Sequence, residues 1–104
     1  TEAIALKLAY PDNLFEHRAI ATKASHGHML GGTGAMELLT AILTLTHKVA
    51  PPILGFLGPD PECDLPLVLK PEPVDYDTAV SASYAFGGLN CVLIAERHAE
   101  KKWI

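Results

Sequence analysis

Between the glycines at 31, 32 and 34 and the paired prolines Pro51-Pro52 lies a stretch that leaves the chain little choice of fold. Met36, Leu38, Leu39, Ile42, Leu43 and Leu45 cover most of the circumference of a helix drawn through it, so the spacing predicts a helix from Gly31 or Gly32 to about Lys48, stopped by the prolines. Its polar residues, Thr33, Glu37, Thr40, Thr44 and His47, recur at three- and four-residue steps and form one weakly polar stripe. A helix with so little polar surface is expected at the centre of a packing, with other elements laid around it.

The chain has 104 residues, of which 49% are hydrophobic, and a small domain buries a poor share of its surface. That much apolar side chain implies a further surface to pack against. The opening at Thr1, directly into helix-forming sequence, is read as a start inside a fold. Basic residues number 8 against 12 acidic, and Arg18, Lys48 and Lys101 are scattered, so no positive stripe exists to meet a nucleic-acid backbone. No apolar run reaches bilayer length, and a soluble, cytoplasmic protein is expected. Cys63 and Cys91 lack metal-type spacing and read as free thiols in a reducing compartment, with a disulfide the less favoured alternative.

Ahead of the central helix, Glu2 to Leu8 reads as a short helix, apolar all round and therefore expected to be buried, that ends at Tyr10-Pro11-Asp12-Asn13. Ala19 to Thr22 is a brief strand candidate. After the helix, Pro51 to Pro73 is a proline-rich surface connection with a short strand candidate at Leu65 to Leu69. Thr78 to Phe86 and Leu89 to Ala95 read as an antiparallel hairpin turned by Gly87-Gly88.

Chemistry concentrates where Lys23-Ala24-Ser25-His26-Gly27-His28 runs into the glycine-led helix. An imidazole there would stand near unpaired backbone amides and a positive helix end. A neutral His28 donating one proton to a developing oxyanion in a dry pocket is one reading, and a loop histidine near a helix start is the other. His26 and His28 alternate as a metal pair would, but no third ligand follows at a sensible spacing, so no metal and no cofactor are expected. Glu37 is either the solvated residue of its stripe or a packed carboxylate needing a partner, for which Lys23 is a candidate. Acidic neighbours make Cys63 a poor nucleophile. Cys91, in a strand pattern, reads as a buried small hydrophobe.

Four blocks in order, Lys23 to Glu37, Pro51-Pro52, Pro59 to Asp64, and Phe86-Gly87-Gly88-Leu89-Asn90, resemble the C-terminal half of elongating β-ketoacyl-(acyl carrier protein) synthases, members of the thiolase-like condensing enzymes. The resemblance implies an α/β fold, the C-terminal half of a thiolase-like architecture, with a mixed sheet, a buried central helix and a terminal β-hairpin. It implies an acyltransferase of fatty-acid or polyketide biosynthesis that joins an acyl thioester to malonyl-acyl carrier protein by decarboxylative Claisen condensation, in a homodimer or heterodimer.

By position, His28 resembles the histidine that stabilises the malonyl enolate, Lys23 the lysine beside the active site and Glu37 the acid of the same network. Phe86 with Gly87 and Gly88 resembles the aromatic gate of the acyl pocket. The sequence departs from the family pattern at Ala82, Ala85 and Leu89 in that loop, and at Ile53 and Gly55 after the prolines. The family's nucleophilic cysteine and first histidine belong to sequence before Thr1, so residues 1–104 are expected to be a partial domain, inactive alone. A non-catalytic partner resembling a chain-length factor is the alternative. A thiolase is less favoured, because it would carry a cysteine where Phe86-Gly87-Gly88 stands.

Overall fold

A computed structural model describes residues 2–98, which leaves Lys101 outside the described residues. The described chain divides into two compact units, one built from the residues up to Gly27 with Pro51–Glu72, the other from His28–Ala50 with the chain from Pro73 onward.

In the first unit, helix α1 (Glu2–Ala9) carries Glu2 in its first turn and Lys7 in its last, the charge order that favours both ends of its dipole. The N–H of Tyr10 closes the last turn on Leu6, and Pro11 prevents another. α1 lies against the short 3-10 turn Pro61–Cys63, whose entry is capped by the Asp60 carboxylate accepting from the N–H of Glu62 at 2.9 Å. Contrary to the expectation of a buried helix, only Ala3 of α1 is buried, while Ile4 and Leu8 stand exposed. The described residues bring nothing over that face.

The two strand candidates of this unit meet each other. Ala19 and Leu67 form a single parallel bridge, in which Ala19 donates to the carbonyl of Pro66 and Val68 donates to that of Ala19. The N–H of Ile53 in turn donates to the carbonyl of Val68 at 2.8 Å, so three extended pieces converge on Val68, the largest fully buried side chain. Arg18 and Glu72 flank this cluster with an ion pair of 2.7 Å. Helix α2 (Lys23–His26), a single turn where the sequence suggested a plain junction, completes the unit.

In the second unit, a 3-10 turn (Leu30–Gly32) leads into α3 (Thr33–His47), followed by strands β1 (Val49–Ala50), β2 (Glu72–Pro73, at the boundary), β3 (Thr78–Ala85) and β4 (Leu89–Glu96). α3 ends on Lys48 in the left-handed region (φ 57°), whose N–H caps Thr44. β3 and β4 pair antiparallel from Thr78↔Glu96 to Ala85↔Leu89, and Phe86-Gly87-Gly88 makes the turn, both glycines at positive φ. α3 lies against this hairpin, whose half-buried positions on β3 are the small residues Ala79, Ser81 and Ser83, which permit close approach.

Contrary to the expectation of a buried central helix, α3 is covered on one face only among the described residues, and that face includes most of the weakly polar stripe. Thr33, Ala41 and Leu45 are buried and Glu37, Thr40 and Thr44 half-buried, whereas Leu39, Ile42 and Leu43 are exposed. The threonines tolerate cover because their hydroxyls bond inside the helix, Thr40 to the carbonyl of Met36 at 2.9 Å and Thr44 to that of Thr40 at 2.8 Å. A satisfied hydroxyl presents mainly its methyl to a neighbour, so the stripe that looks polar in one dimension packs as nearly apolar surface.

Two further expectations are corrected. Among the described residues no sheet exceeds two strands, so in place of the mixed sheet stand two strand pairs, β1 with β2 and β3 with β4, and an isolated parallel bridge. Cys91 is exposed rather than buried, because it lies near the hairpin tip, where every residue from Tyr84 to Ile94 is exposed. What remains is a mixed α/β arrangement in which α3 packs on the β3–β4 hairpin. No helix among the described residues is long and apolar enough to cross a membrane.

Candidate functional site

His26 and His28, separated by one glycine, are held in opposite tautomers. In the first unit, Nδ1 of His26 lies 2.9 Å from the carbonyl of Gly27, which can only accept, so Nδ1 carries the proton. Its Nε2 is then an acceptor, and the Thr22 hydroxyl donates to it at 2.8 Å. Both ring nitrogens of His26 are thus committed inside the protein.

In the second unit the logic runs the other way. The backbone N–H of Leu30, a donor by necessity, points at Nδ1 of His28 at 2.9 Å. Nδ1 must therefore accept, the proton sits on Nε2, and the Thr33 hydroxyl, 3.0 Å from the same Nδ1, donates as well. His28 thus presents a neutral, exposed imidazole with an Nε2–H donor just ahead of α3, near the positive end of its dipole.

Local backbone makes this possible. Gly27 has φ 83° and ψ 170°, a combination closed to residues with a Cβ, and this bend ends α2 and begins the His28 loop. Leu30, with φ 52°, occupies the left-handed region without being a glycine. Its side chain is 80% exposed, so no packing holds it there, and the conformation is maintained by the backbone contact to His28 and the 3-10 turn that follows.

The other predicted residues are placed less tightly. His28 is itself exposed, so residues 2–98 do not supply the dry pocket expected around it. Glu37 is half-buried on α3, which fits the packed carboxylate better than the solvated one, and Lys23 opens α2 in the other unit. Phe86 is 102% exposed at the hairpin tip and packs on no neighbour. Gly87 and Gly88 hold the positive φ that the turn demands. Surface depressions of about 410 Å³, beside Tyr10 to Glu16, and about 130 Å³, beside Phe56 and Cys63, are both in the first unit and neither is lined by His28. No group of three His, Cys, Asp or Glu side chains that could hold a metal occurs among the described residues.

Sequence reasoning missed two partners of the site. Thr33 was counted only as part of the helical stripe, although a hydroxyl five residues after a histidine, across a glycine-rich turn, could have signalled a contact. The left-handed Leu30 had no signal, since nothing in a leucine announces positive φ.

Fold and site together define a mixed α/β chain that presents the neutral imidazole of His28 as a hydrogen-bond donor at the start of its longest helix. Residues 1–57 match the family described as beta-ketoacyl synthase, C-terminal domain, and the chain belongs to that family. Lys23, His28 and Glu37 lie inside the matched range, and Phe86, Gly87 and Gly88 beyond it.

The chain is similar to 3-oxoacyl-(acyl-carrier-protein) synthase 2 of Coxiella burnetii, 36% identical over 97 residues that make up 92% of this chain and 23% of that protein. It is also similar to nodulation protein E of Rhizobium leguminosarum bv. trifolii, at 32% over 88% of this chain and 23% of that protein. A third relative is the granaticin polyketide putative beta-ketoacyl synthase 1 of Streptomyces violaceoruber, 31% identical over 95% of this chain and 24% of that protein. The chain therefore spans about a quarter of the length of the relatives it matches.

Proposed function

We propose that this chain is the C-terminal part of a 3-oxoacyl-(acyl carrier protein) synthase, working in fatty-acid or polyketide assembly. In the reaction, malonyl thioester loses carbon dioxide, the electron pair of the broken C–C bond becomes an enolate, and the enolate carbon attacks an acyl group held as a thioester on a cysteine. The cysteine leaves as thiolate and a 3-oxoacyl thioester is released.

The observation that carries this reading is the tautomer of His28. An enolate oxygen requires a donor that is in place before the charge develops, and an Nε2–H fixed from behind by Leu30 and Thr33 meets that requirement. Lys23 and Glu37 act in the surrounding charge network. Phe86, on its glycine turn, gates the acyl pocket, and its full exposure fits a side chain whose contacts lie outside these residues.

The nucleophilic cysteine and the first histidine come from sequence outside residues 1–104. That portion also covers the exposed apolar faces of α1, α3 and the hairpin, completing a thiolase-like fold in a cytoplasmic dimer served by acyl carrier protein. The test is His28→Ala in the full-length polypeptide. Malonyl decarboxylation should be lost while acyl loading onto cysteine continues, and decarboxylation at the unaltered rate overturns the proposal. Loss of neither activity because neither existed would identify a non-catalytic partner instead.

A further inference from the structure

We infer that Thr33 is a positioning residue for His28, a role that rests on the function proposed above. Thr33 is a buried polar residue, 7% exposed, at the first position of α3. Threonine near a helix start ordinarily turns its hydroxyl to a free backbone amide of the first turn. Here the preceding residue, Gly32, occupies the cap position and no side chain caps the helix. The Thr33 hydroxyl goes instead to His28 Nδ1 at 3.0 Å.

The direction of that bond is settled by Leu30. Because its N–H already donates to Nδ1, a proton on Nδ1 would set two donors against each other, so the hydroxyl donates too. One contact reaches the ring from the loop and one from the helix. A half-turn of the imidazole about its Cβ–Cγ bond would replace Nδ1 by a carbon and forfeit both bonds. Thr33 therefore ties the ring plane, and with it the Nε2–H, to the rigid end of α3 rather than to the exposed loop alone. Donation into Nδ1 also polarises the ring and strengthens Nε2–H as a donor.

The test compares Thr33→Val, which keeps the branched shape and removes the hydroxyl, with Thr33→Ser, which keeps the hydroxyl. In the full-length polypeptide the valine variant should lower kcat for malonyl-thioester decarboxylation by about three- to tenfold, the scale of one hydrogen bond, with KM changed by less than about twofold. Serine should restore kcat. Nitrogen-15 shifts of the His28 ring should keep the Nε2–H form in all three proteins, because Leu30 still donates to Nδ1, while nuclear relaxation of the ring should show a less ordered imidazole in the valine variant than in the parent or the serine variant. If valine destabilises the fold, Thr33→Ala against Thr33→Ser makes the same comparison. An unaltered kcat and ring relaxation without the hydroxyl, or a serine variant no better than valine, overturns the inference. His28→Ala measured alongside separates the two readings, since its full activity would refute the function of His28 itself, whereas its inactivity beside a fully active valine variant would refute only the role of Thr33.

Discussion

The N–H of Leu30 reaches Nδ1 of His28 at 2.9 Å from a backbone at φ 52°, so a strained leucine fixes the proton of the imidazole two residues before it. Left-handed backbone costs a residue with a Cβ about 1–2 kcal/mol, and a β-branched residue more. With its side chain 80% exposed, Leu30 offers little burial in return. Leu30→Gly should therefore leave stability within about 1 kcal/mol of the parent, relief of strain offsetting the added chain entropy. Leu30→Val should cost about 1–2 kcal/mol despite the exposed position. Chemical denaturation of the two variants checks this, and equal stabilities would show that the backbone here is not strained.

Gly27 is the other constrained position. With φ 83° and ψ 170° it lies where only glycine is at ease, and a Cβ placed there meets no atom within 4 Å. The cost of Gly27→Ala is therefore conformational, about 1–3 kcal/mol. Because Gly27 also supplies the carbonyl that His26 engages and leads directly into His28, the variant should lose decarboxylation along with stability. A folded Gly27→Ala protein with full activity would mean that the bend is not required.

In the first unit, burial and charge should separate cleanly. Val68 is 1% exposed, and Val68→Ala should cost about 2 kcal/mol, the transfer of two methyl groups plus part of a cavity. Arg18 and Glu72 are 2.7 Å apart, but their side chains are 37% and 39% exposed, so Glu72→Gln should cost less than about 0.5 kcal/mol and less still at high salt. Thermal unfolding of both variants at two ionic strengths is the measurement.

The hairpin was legible in the sequence because alternation and a glycine turn are local, and the register from Thr78↔Glu96 to Ala85↔Leu89 follows from them. α3 was legible for the same reason, within a residue at its end. Which face of α3 packs was not, because Thr40 and Thr44 hide their hydroxyls in helical carbonyls, and a hydropathy pattern counts them as polar. The parallel contact of Ala19 with Leu67 joins residues far apart in the chain, so each piece could be suspected while their pairing could not. His28 was identified by its setting and its resemblance to a family. The reason for choosing it over His26 is geometric, residing in which ring nitrogen faces a donor.

That geometry separates the two histidines by experiment. His26 is half-buried with a hydrogen bond at each ring nitrogen, so His26→Ala removes two bonds and strands the Thr22 hydroxyl, at a cost of about 1–3 kcal/mol. Its chemistry is spent on structure, so the folded fraction should retain decarboxylation within about an order of magnitude, the loss reflecting disturbance of the adjoining Gly27 bend. His28 is exposed, but His28→Ala also removes two bonds and strands the buried Thr33 hydroxyl, so it should cost a comparable amount, about 1–3 kcal/mol, while lowering decarboxylation by about 10²- to 10³-fold, the usual consequence of removing a donor to a developing oxyanion. Stability and turnover measured on the same two preparations should thus show similar losses of stability and very different losses of turnover. If His26→Ala abolishes turnover at full stability and His28→Ala does not, the tautomer assignment selects the wrong imidazole.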